Sequence, residues 1–252
     1  MIYDNIIYEK KEGIARITLN RPAAMNAITV ELLKETNDAV LDAGRDRSVK
    51  LIVLTGAGRA FCAGVDLIAL GDRKLERGKV GEILDIPARA LIDTIQSLPK
   101  VVIAVVNGYC FTGALELVLA CDMVLAAEEA KFGDTHAKWG LRPTWGMSQR
   151  LPRMVGILKA KELSFTADTI DAREAARIGL VNKAVPGAKL EEVVQELARK
   201  IIANSSNSLA AYKYLYNRGF NQTLEDGLEL ERNSEFDFDD TEERLASFRK
   251  RS

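Results

Sequence analysis

Short apolar segments that alternate with helical patterns constrain the fold of this chain more than any other feature. Three of them cover residues 51–55, 101–106 and 123–127, and the first two are rich in β-branched residues. Runs of this length and composition are typical of strands that are buried on both faces, as in parallel sheets. Amphipathic helical patterns lie between them, for example over residues 28–43 and 88–98. This alternation predicts an α/β fold built from repeated strand–strand–helix units.

The two ends of the chain predict different structures. Apolar and polar residues alternate over residues 6–10 and 14–19, which predicts a β-hairpin. Residues 190–252 instead have helical periodicity throughout, and no glycine-rich linker precedes them. The expected helices cover residues 190–204, 208–218, 223–238 and 242–251. We therefore expect a core over residues 1–188 and a helical region over residues 189–252 that packs on the core or on another subunit.

Composition excludes several classes of function. The 252 residues are 47% hydrophobic, enough for a sizeable core, and carry a net charge of -1. That balance gives no strong field for nucleic acid or an anionic membrane, and the longest apolar run is far too short to span a bilayer. Three cysteines without a CxxC pair indicate neither a disulfide framework nor a zinc site. Because the N-terminus also lacks the layout of a signal peptide, we expect a cytoplasmic protein with no nucleic-acid, membrane or metal partner.

One acid interrupts the apolar helical pattern that comes after the strand at residues 101–106. Glu116 has leucine on both sides, and a carboxylate in such a place costs free energy unless it is paired or used. Gly113 lies three residues earlier, on nearly the same face of the helix. A backbone N–H beside a carboxyl group is suited to oxyanion stabilisation and proton transfer. The alternative is a buried acid that is paired with a nearby Arg or Lys.

A second turn could also expose a backbone N–H group. Ala63-Gly64-Val65-Asp66 comes after a strand and a glycine-rich bend, and such a turn can present backbone N–H groups outward. If one of them converged with the N–H of Gly113, the pair would form an oxyanion hole for an enolate or a tetrahedral intermediate. On these residues alone, an ordinary strand-to-helix loop is an equal alternative.

Ordered motifs along nearly the whole chain carry a family resemblance. They are Leu19-Asn20-Arg21-Pro22 with Met25-Asn26-Ala27; residues 60–67; Asn107-Gly108-Tyr109 with Gly113, Glu116, Leu117, Cys121 and Asp122; Phe132-Gly133; Gln149-Arg150-Leu151 with Val155-Gly156; and residues 172–181. With these motifs the chain resembles the crotonase (enoyl-CoA hydratase/isomerase) superfamily. The resemblance implies a spiral of ββα units, a helical C-terminal region that makes trimers or dimers of trimers, and an acyl-CoA thioester as the substrate.

The resemblance also implies how the substrate is held. Its thioester carbonyl would accept hydrogen bonds from the backbone N–H groups of Val65 and Gly113. Coenzyme A is carried as part of the substrate, so no separate cofactor is implied. The residues that would contact it are Ala23, Ala24, Ala63, Asp66 and Leu67. Many relatives have a basic residue where this chain has Ala23, so one of their phosphate contacts does not carry over.

The proton-transferring residues depart from the family pattern. Hydratases of this family use two glutamates around one water; the first matches Glu116, but the second position is occupied by His136, the one histidine in the chain. An imidazole titrates near neutrality and can act as an acid or a base, although a lone histidine is as often structural. Asp134 could orient His136, or it could cap the backbone.

Three further residues bear on the shape and chemistry of the site. Tyr109 could line it or pack at a strand end, and Trp145 could narrow the acyl pocket or simply pack. Thr144 lies near a position where some relatives place an acid for isomerisation or dehalogenation. Because a threonine does not ionise there, the sequence argues against those two reactions.

These observations leave three hypotheses. The first is a hydratase-type lyase that adds or removes water at the Cα=Cβ bond of a CoA thioester, with Glu116 and His136 transferring the protons. The second keeps the CoA site but performs hydrolysis, C–C cleavage or decarboxylation. The third is a non-catalytic acyl-CoA-binding protein that has lost its second acid. Turnover of a panel of acyl-CoA esters distinguishes them.

Overall fold

Two sheets and a series of helices make up the computed structural model, which describes residues 2–71 and 75–249. The strands are β1 (Ile6–Lys11), β2 (Ile14–Leu19), β3 (Leu51–Gly56), β4 (Ala60–Cys62), β5 (Val101–Val106), β6 (Tyr109–Phe111), β7 (Met123–Ala127), β8 (Lys131–Gly133), β9 (Ile170–Asp171) and β10 (Lys183–Val185). The helices are α1 (Val30–Arg45), α2 (Leu67–Leu70), α3 (Glu82–Ser97), α4 (Gly113–Val118), α5 (Met147–Val155), α6 (Ile157–Thr166), α7 (Ala172–Arg177), α8 (Gly187–Ile202), α9 (Ser206–Gly219), α10 (Leu224–Asn233) and α11 (Thr241–Arg249). Short 3-10 helices cover Pro22–Ala24 and His136–Trp139.

From β3 to β8, consecutive strands alternate between the two sheets. The larger sheet has the order β1-β2-β3-β5-β7-β10, with β1 antiparallel to β2 and the other neighbours parallel. The smaller sheet has the order β4-β6-β8-β9, and only β9 is antiparallel to its neighbour. The strands β3, β5 and β7 are thus each succeeded by a short strand in the second sheet and then by helix. This repeated path confirms the predicted α/β fold of ββα units.

The larger sheet is buried on both faces, as its apolar runs predicted. Because side chains of a strand point alternately to opposite faces, Ile52 and Leu54 of β3 enter one core cluster while Leu51 and Val53 enter another. The first cluster also contains apolar side chains of α1, α3 and α4. The second is covered by α8, through Leu190, Val194, Ala198 and Ile201.

The helical C-terminal region packs on this core through its first two helices. Besides α8, helix α9 is attached by Lys213, whose Nζ donates hydrogen bonds to the carbonyls of Ile95 and Lys100 and to Asp122 Oδ2, each within 2.8 Å. By contrast, α10 and α11 bury no residue within the chain. Within the described part of the chain, every helix is too short or too polar to span a membrane. The predicted division between residues 188 and 189 stays a prediction.

Most element boundaries match the predictions, and the exceptions have local causes. Thr29 caps α1 and Asp171 caps α7, each accepting from a backbone N–H in the first turn. Helix α3 was expected to begin near residue 88 but begins at Glu82, with Pro87 inside it. The stretch 131–146 contains β8, whose residues pair with β6, and a 3-10 helix over His136–Trp139. Of the expected last helix, Lys250 and Arg251 lie outside the described residues.

Candidate active site

Three parallel strands of the smaller sheet end at the candidate site. Cys62 of β4 lies beside Cys110 of β6, and Cys110 lies beside Phe132 of β8. Because the carboxyl ends of parallel strands meet at one edge of a sheet, the segments that leave them come together. Three or four residues beyond these positions the chain reaches three of the predicted site residues: Val65, Gly113 and His136.

Glu116 lies in the first turn of α4 and is 1% exposed. Its Oε1 accepts hydrogen bonds from the backbone N–H groups of Trp145, at 3.0 Å, and Met147, at 2.9 Å. No Lys or Arg among the described residues forms an ion pair with it; the ion-pair contact it makes is with His136. The alternative of a carboxylate paired with Arg or Lys is therefore wrong.

His136 begins a 3-10 helix just after β8, and its imidazole is held by a carboxylate. Its Nδ1 lies 2.6 Å from Asp134 Oδ1, and Asp134 Oδ2 accepts a 2.6 Å hydrogen bond from the Ser164 hydroxyl. Asp134 also accepts a long hydrogen bond from the backbone N–H of His136, at 3.4 Å. Asp134 therefore both contacts the backbone and orients the imidazole, and Nε2 is left facing Glu116.

Glu116 and His136 face each other across a short gap. The distance from His136 Nε2 to Glu116 Oε2 is 3.7 Å, too long for a direct hydrogen bond but suitable for two groups that share one water. Burial raises the pKa of Glu116, although the N–H donors of Met147 and Trp145 and the nearby imidazole act against this rise. Burial would also raise the pKa of Asp134, but hydrogen bonds from His136 and Ser164 outweigh it and hold that pKa below its ordinary value.

The backbone N–H of Val65 points away from Ile28, its β-bridge partner. Ile28 donates to the carbonyl of Gly64 and accepts from the N–H of Asp66, the pattern of a parallel bridge between Ile28 and Val65. Val65 itself uses neither of its backbone groups in that bridge, so both point the other way. Gly113 is the first residue of α4, where an N–H has no acceptor within the helix.

Close packing brings these two turns into contact. Gly64 has φ +94°, and a Cβ there would lie 2.2 Å from Thr112 Oγ1, so only glycine allows the turn at Val65 to lie against the segment before Gly113. At Gly113 a Cβ would lie 2.4 Å from Cζ3 of Trp145. The two N–H groups predicted to form an oxyanion hole therefore belong to adjoining backbone segments, and Gly113 lies in the same helical turn as Glu116.

The loop before α5 is fixed by Asp85, which the sequence did not single out, and by Arg150 of a family motif. Asp85 of α3 is buried and accepts hydrogen bonds from the Thr144 hydroxyl, at 2.6 Å, and from Nε1 of Trp145, at 2.7 Å. Arg150 donates to the carbonyl of Trp145 at 2.8 Å. Asp85 lies on the same face of its helix as buried Ala88 and Ile92, so an acid in an apolar stripe is the signal that could have identified it.

The residues predicted to contact coenzyme A lie at the outer side of the site. They are Ala23 and Leu67, which are exposed, and Ala24, Ala63 and Asp66, which are half-buried. The N–H of Ala63 donates to the carbonyl of Met25, which joins the two segments. The Asp66 carboxylate caps α2 and pairs with Arg21 at 3.0 Å, so its side chain supports the turn. Their contacts with coenzyme A stay predictions.

Tyr109, at the start of β6, is exposed. Its ring packs against that of Phe111, with centroids 5.7 Å apart, so a role in lining the site stays a prediction. Over residues 2–71 and 75–249, no group of three or more His, Cys, Asp or Glu has an arrangement that could hold a metal ion.

A family model described as enoyl-CoA hydratase/isomerase matches residues 9–250 of the chain. The chain belongs to this family. It is 38% identical over 233 residues to a crotonyl-CoA hydratase of Syntrophomonas wolfei, covering 92% of this chain and 88% of that protein. It is 37% identical over 232 residues to a short-chain-enoyl-CoA hydratase of Clostridium acetobutylicum, again covering 92% of this chain and 88% of the other.

Solved structures of the same family share the fold. An enoyl-CoA hydratase from Bacillus anthracis superposes with a TM-score of 0.86 at 35% identity, covering 91% of this chain and 88% of that one. A Geobacillus kaustophilus protein described as an enoyl-CoA hydratase subunit gives a TM-score of 0.88 at 30% identity, covering 99% of this chain and 96% of that one. The crotonase resemblance and the predicted fold class are thus confirmed.

Family membership makes the His136 position the main chemical departure of this chain. The sequence resemblance implies a second glutamate there, and the structure has an imidazole whose far nitrogen is bound by Asp134. A carboxylate is still present, bound to the far side of the imidazole ring. The site therefore places a carboxylate and an imidazole on two sides of one gap.

Proposed function

We propose that the protein is an enoyl-CoA hydratase-type lyase, which adds water to the Cα=Cβ bond of a CoA thioester or removes it. The single observation that carries the proposal is the gap of 3.7 Å between Glu116 Oε2 and His136 Nε2, beside the N–H of Gly113. Two proton-transferring groups around one water are what the reaction requires. Relatives named as hydratases, at 37–38% identity over most of the chain, support the same reaction.

The thioester carbonyl accepts hydrogen bonds from Val65 and Gly113 in this proposal. As the nucleophile adds at Cβ, negative charge moves onto the thioester oxygen, and the two N–H groups stabilise the enolate. Each such donor lowers the barrier by about 3 kcal/mol in comparable sites. The CoA part extends outward past Ala23, Ala24, Ala63, Asp66 and Leu67, and no other cofactor or metal is needed.

Glu116 and His136 then divide the two proton transfers. The ionised Glu116 takes a proton from the water through Oε2, and the hydroxide oxygen forms the new bond to Cβ. His136 donates a proton from Nε2 to Cα, so that the enolate returns to the thioester, and the proton on Glu116 then passes across the gap to Nε2 and restores both groups. Asp134 holds the proton on Nδ1 and stabilises the imidazolium. Because burial raises the pKa of Glu116, its carboxylate is a stronger base than an exposed one.

The direct test is the hydration of crotonyl-CoA by two variants. Glu116→Gln keeps the acceptor for Trp145 and Met147 but removes the base, so we expect activity to be abolished. His136→Ala removes the second proton carrier, and we expect at least a tenfold loss. Glu192→Gln, an exposed glutamate on α8, is the matched control and should retain full activity. Undiminished turnover by Glu116→Gln would refute the mechanism.

A second reaction is favoured by one observation, the Asp134–His136 pair. An imidazole oriented by a carboxylate is also a general base for water that attacks a carbonyl, which would hydrolyse the thioester held in the same oxyanion hole. A panel of acyl-CoA esters scored for free CoA and for hydrated product separates the hydrolase, C–C lyase and decarboxylase alternatives from the hydratase. Tight binding without turnover of any ester would instead indicate a non-catalytic acyl-CoA-binding protein.

We also propose that the chain forms a homo-oligomer, either a trimer or a dimer of trimers. The support is the C-terminal surface: α10 and α11 bury nothing within the chain, and Tyr216, Phe220 and Leu224 are exposed nearby. Exposed apolar side chains in one region commonly mark an interface. Light scattering coupled to size-exclusion chromatography measures the mass directly, and a monomer at micromolar concentration would contradict this proposal.

A further inference from the structure

The indole ring of Trp145 is buried beside Gly113, and its backbone lies beside Glu116. Trp145 is therefore next to an oxyanion donor and to the base of the proposed reaction. Its side chain packs so closely on Gly113 that a Cβ there would lie 2.4 Å from Cζ3, 3.1 Å from Cε3 and 3.2 Å from Cη2. Its backbone N–H donates to Glu116 Oε1 at 3.0 Å. Trp145 thus contacts the oxyanion donor with its ring and the base with its backbone, and it is only 3% exposed.

Asp85 fixes the orientation of that ring from another helix. The indole N–H donates to Asp85 Oδ1 at 2.7 Å, and the same oxygen accepts the Thr144 hydroxyl at 2.6 Å. Arg150 holds the carbonyl of Trp145. Since both N–H groups and the carbonyl of Trp145 are engaged, the ring cannot swing aside without breaking a buried hydrogen bond to a charged group, which is a costly step.

The direction of a bound thioester places its acyl end against the ring. With its oxygen on Val65 and Gly113, the CoA part faces the exposed side at Leu67. The acyl carbons must then point inward, since the groups that act on Cα and Cβ, Glu116 and His136, are buried. The acyl carbons beyond Cβ therefore meet the indole ring. This buried ring excludes longer acyl chains, for which a smaller side chain would leave room.

Resting on the proposed function, we propose that Trp145 is the specificity-determining residue that restricts this enzyme to short acyl chains. Asp85 acts through it as a positioning residue. The juxtaposition that carries the inference is one buried indole packed on Gly113, hydrogen-bonded to Glu116 and anchored by Asp85. The expected substrate class is a CoA thioester whose acyl group is about the size of a crotonyl group.

The first arm of the test measures binding, so that it does not depend on turnover. Isothermal titration gives the Kd values of the saturated esters butyryl-CoA and octanoyl-CoA. We expect the wild-type protein to bind butyryl-CoA more tightly, and Trp145→Ala to shift the ratio toward octanoyl-CoA by at least about tenfold. Trp145→Phe keeps an aromatic side chain in case the alanine variant does not fold, and it should give a smaller shift in the same direction.

The matched control is the other tryptophan. Trp139 is 62% exposed on the 3-10 helix that begins at His136, so Trp139→Ala should leave the ratio unchanged. If wild-type protein binds both esters equally, or if both Trp145 variants fold and leave the ratio unchanged, the inference is wrong. Failure to bind either ester refutes it together with the acyl-CoA site.

The second arm measures kcat and KM for crotonyl-CoA and trans-2-octenoyl-CoA. A wild-type protein that hydrates neither ester, while the Kd ratio still responds to Trp145, overturns the proposed function but leaves the size limit intact. Asp85→Leu should reduce the preference for crotonyl-CoA at least about threefold, because the ring is no longer anchored. Asp85→Asn keeps an acceptor oxygen and should restore the preference. If Asp85→Leu lowers stability but leaves the preference intact, Asp85 is merely structural.

Discussion

Glu116 and Asp134 are two buried carboxylates of one site, yet their environments shift their pKa values in opposite directions. Burial raises the pKa of Glu116, whereas the pKa of Asp134 is lowered despite its burial. Glu116 uses one oxygen for two backbone N–H groups, and its other oxygen faces His136 across 3.7 Å. Asp134 uses one oxygen for the imidazole and the other for a hydroxyl, both at 2.6 Å.

The contrast shows that the hydrogen-bond partners of each oxygen, and not burial alone, decide whether the pKa of a buried carboxylate is raised or lowered. Asp134 is stabilised as an anion on both oxygens, so it remains ionised and orients its neighbour. Glu116 is stabilised on one oxygen only, and its other oxygen can exchange a proton at modest cost. A difference of this kind between neighbouring acids assigns the roles of base and of orienting group.

Among the changes to the orienting carboxylate, the largest effect should come from removing the anion at Asp134. In Asp134→Asn the imidazolium loses its counter-charge, and the amide can donate to Nδ1 and impose the wrong tautomer. We expect kcat for crotonyl-CoA hydration to fall on the order of 100-fold. The activity should not recover at any pH, because an amide does not ionise. Asp237→Asn, an exposed position near the C-terminus, is the control and should behave as wild type.

A result close to wild-type activity for Asp134→Asn would mean that His136 needs no orienting anion. In that case the contrast between the two carboxylates would be structural, and Glu116 alone would account for the chemistry.

A smaller effect is expected from Ser164→Ala, which removes one hydrogen bond to Asp134 while leaving its contact with His136. The loss of one hydrogen bond to a buried carboxylate should reduce kcat about threefold to tenfold. The pKa of Asp134 should move up toward its ordinary value, which chemical-shift titration of its carboxyl carbon can measure. Ser164→Thr keeps the hydroxyl and should restore most of the activity. Equal losses in the Ala and Thr variants would point to packing instead.

How far the sequence could predict this arrangement depends on the range of each interaction. The first five strands of the larger sheet and the Gly113–Glu116 turn depend on local patterns and were predictable, whereas the short strands of the smaller sheet were not predicted. The family motifs also placed Val65 and His136. The partners that tune them are far away in the chain: Ser164 is 30 residues from Asp134, and Asp85 is 60 from Trp145.

Such contacts leave no periodic pattern in the sequence, because they depend on how α3 and α6 pack against the segment between β8 and α5. Asp134 was close enough to His136 for a hypothesis, but two residues in an irregular segment did not determine whether the side chains meet. In the structure, the contact lies at the start of a 3-10 turn over His136–Trp139, which the sequence did not predict. The site residues could be predicted from the sequence, but their hydrogen-bond partners from distant segments could be identified only from the folded structure.

The smallest expected effect is on the free energy of unfolding, and it tests the second buried carboxylate, Glu116. Because burial raises the pKa of Glu116, the folded state holds that proton more tightly than the unfolded state does. The pKa of this carboxyl group in the unfolded chain is about 4.3, and its pKa in the folded protein is higher. As the pH rises from the first pKa through the second, the free energy of unfolding falls. It stays lower at every pH above the folded pKa. Below pH 4 the contribution is absent.

Glu116→Gln should therefore lose activity and gain stability. Its amide oxygen can still accept the N–H groups of Trp145 and Met147, while the buried charge is gone. We expect the Tm to rise by about 2–4 °C at pH 7.5, corresponding to about 1 kcal/mol in a domain of this size, and the gain to vanish near pH 4. Asp134→Asn, whose native pKa is lowered, should show the reverse, with a loss at pH 7.5 that diminishes as the pH falls through the folded pKa of Asp134. Parallel changes in the two variants, measured by thermal denaturation across this range, would show that the two carboxylates do not differ as their partners indicate.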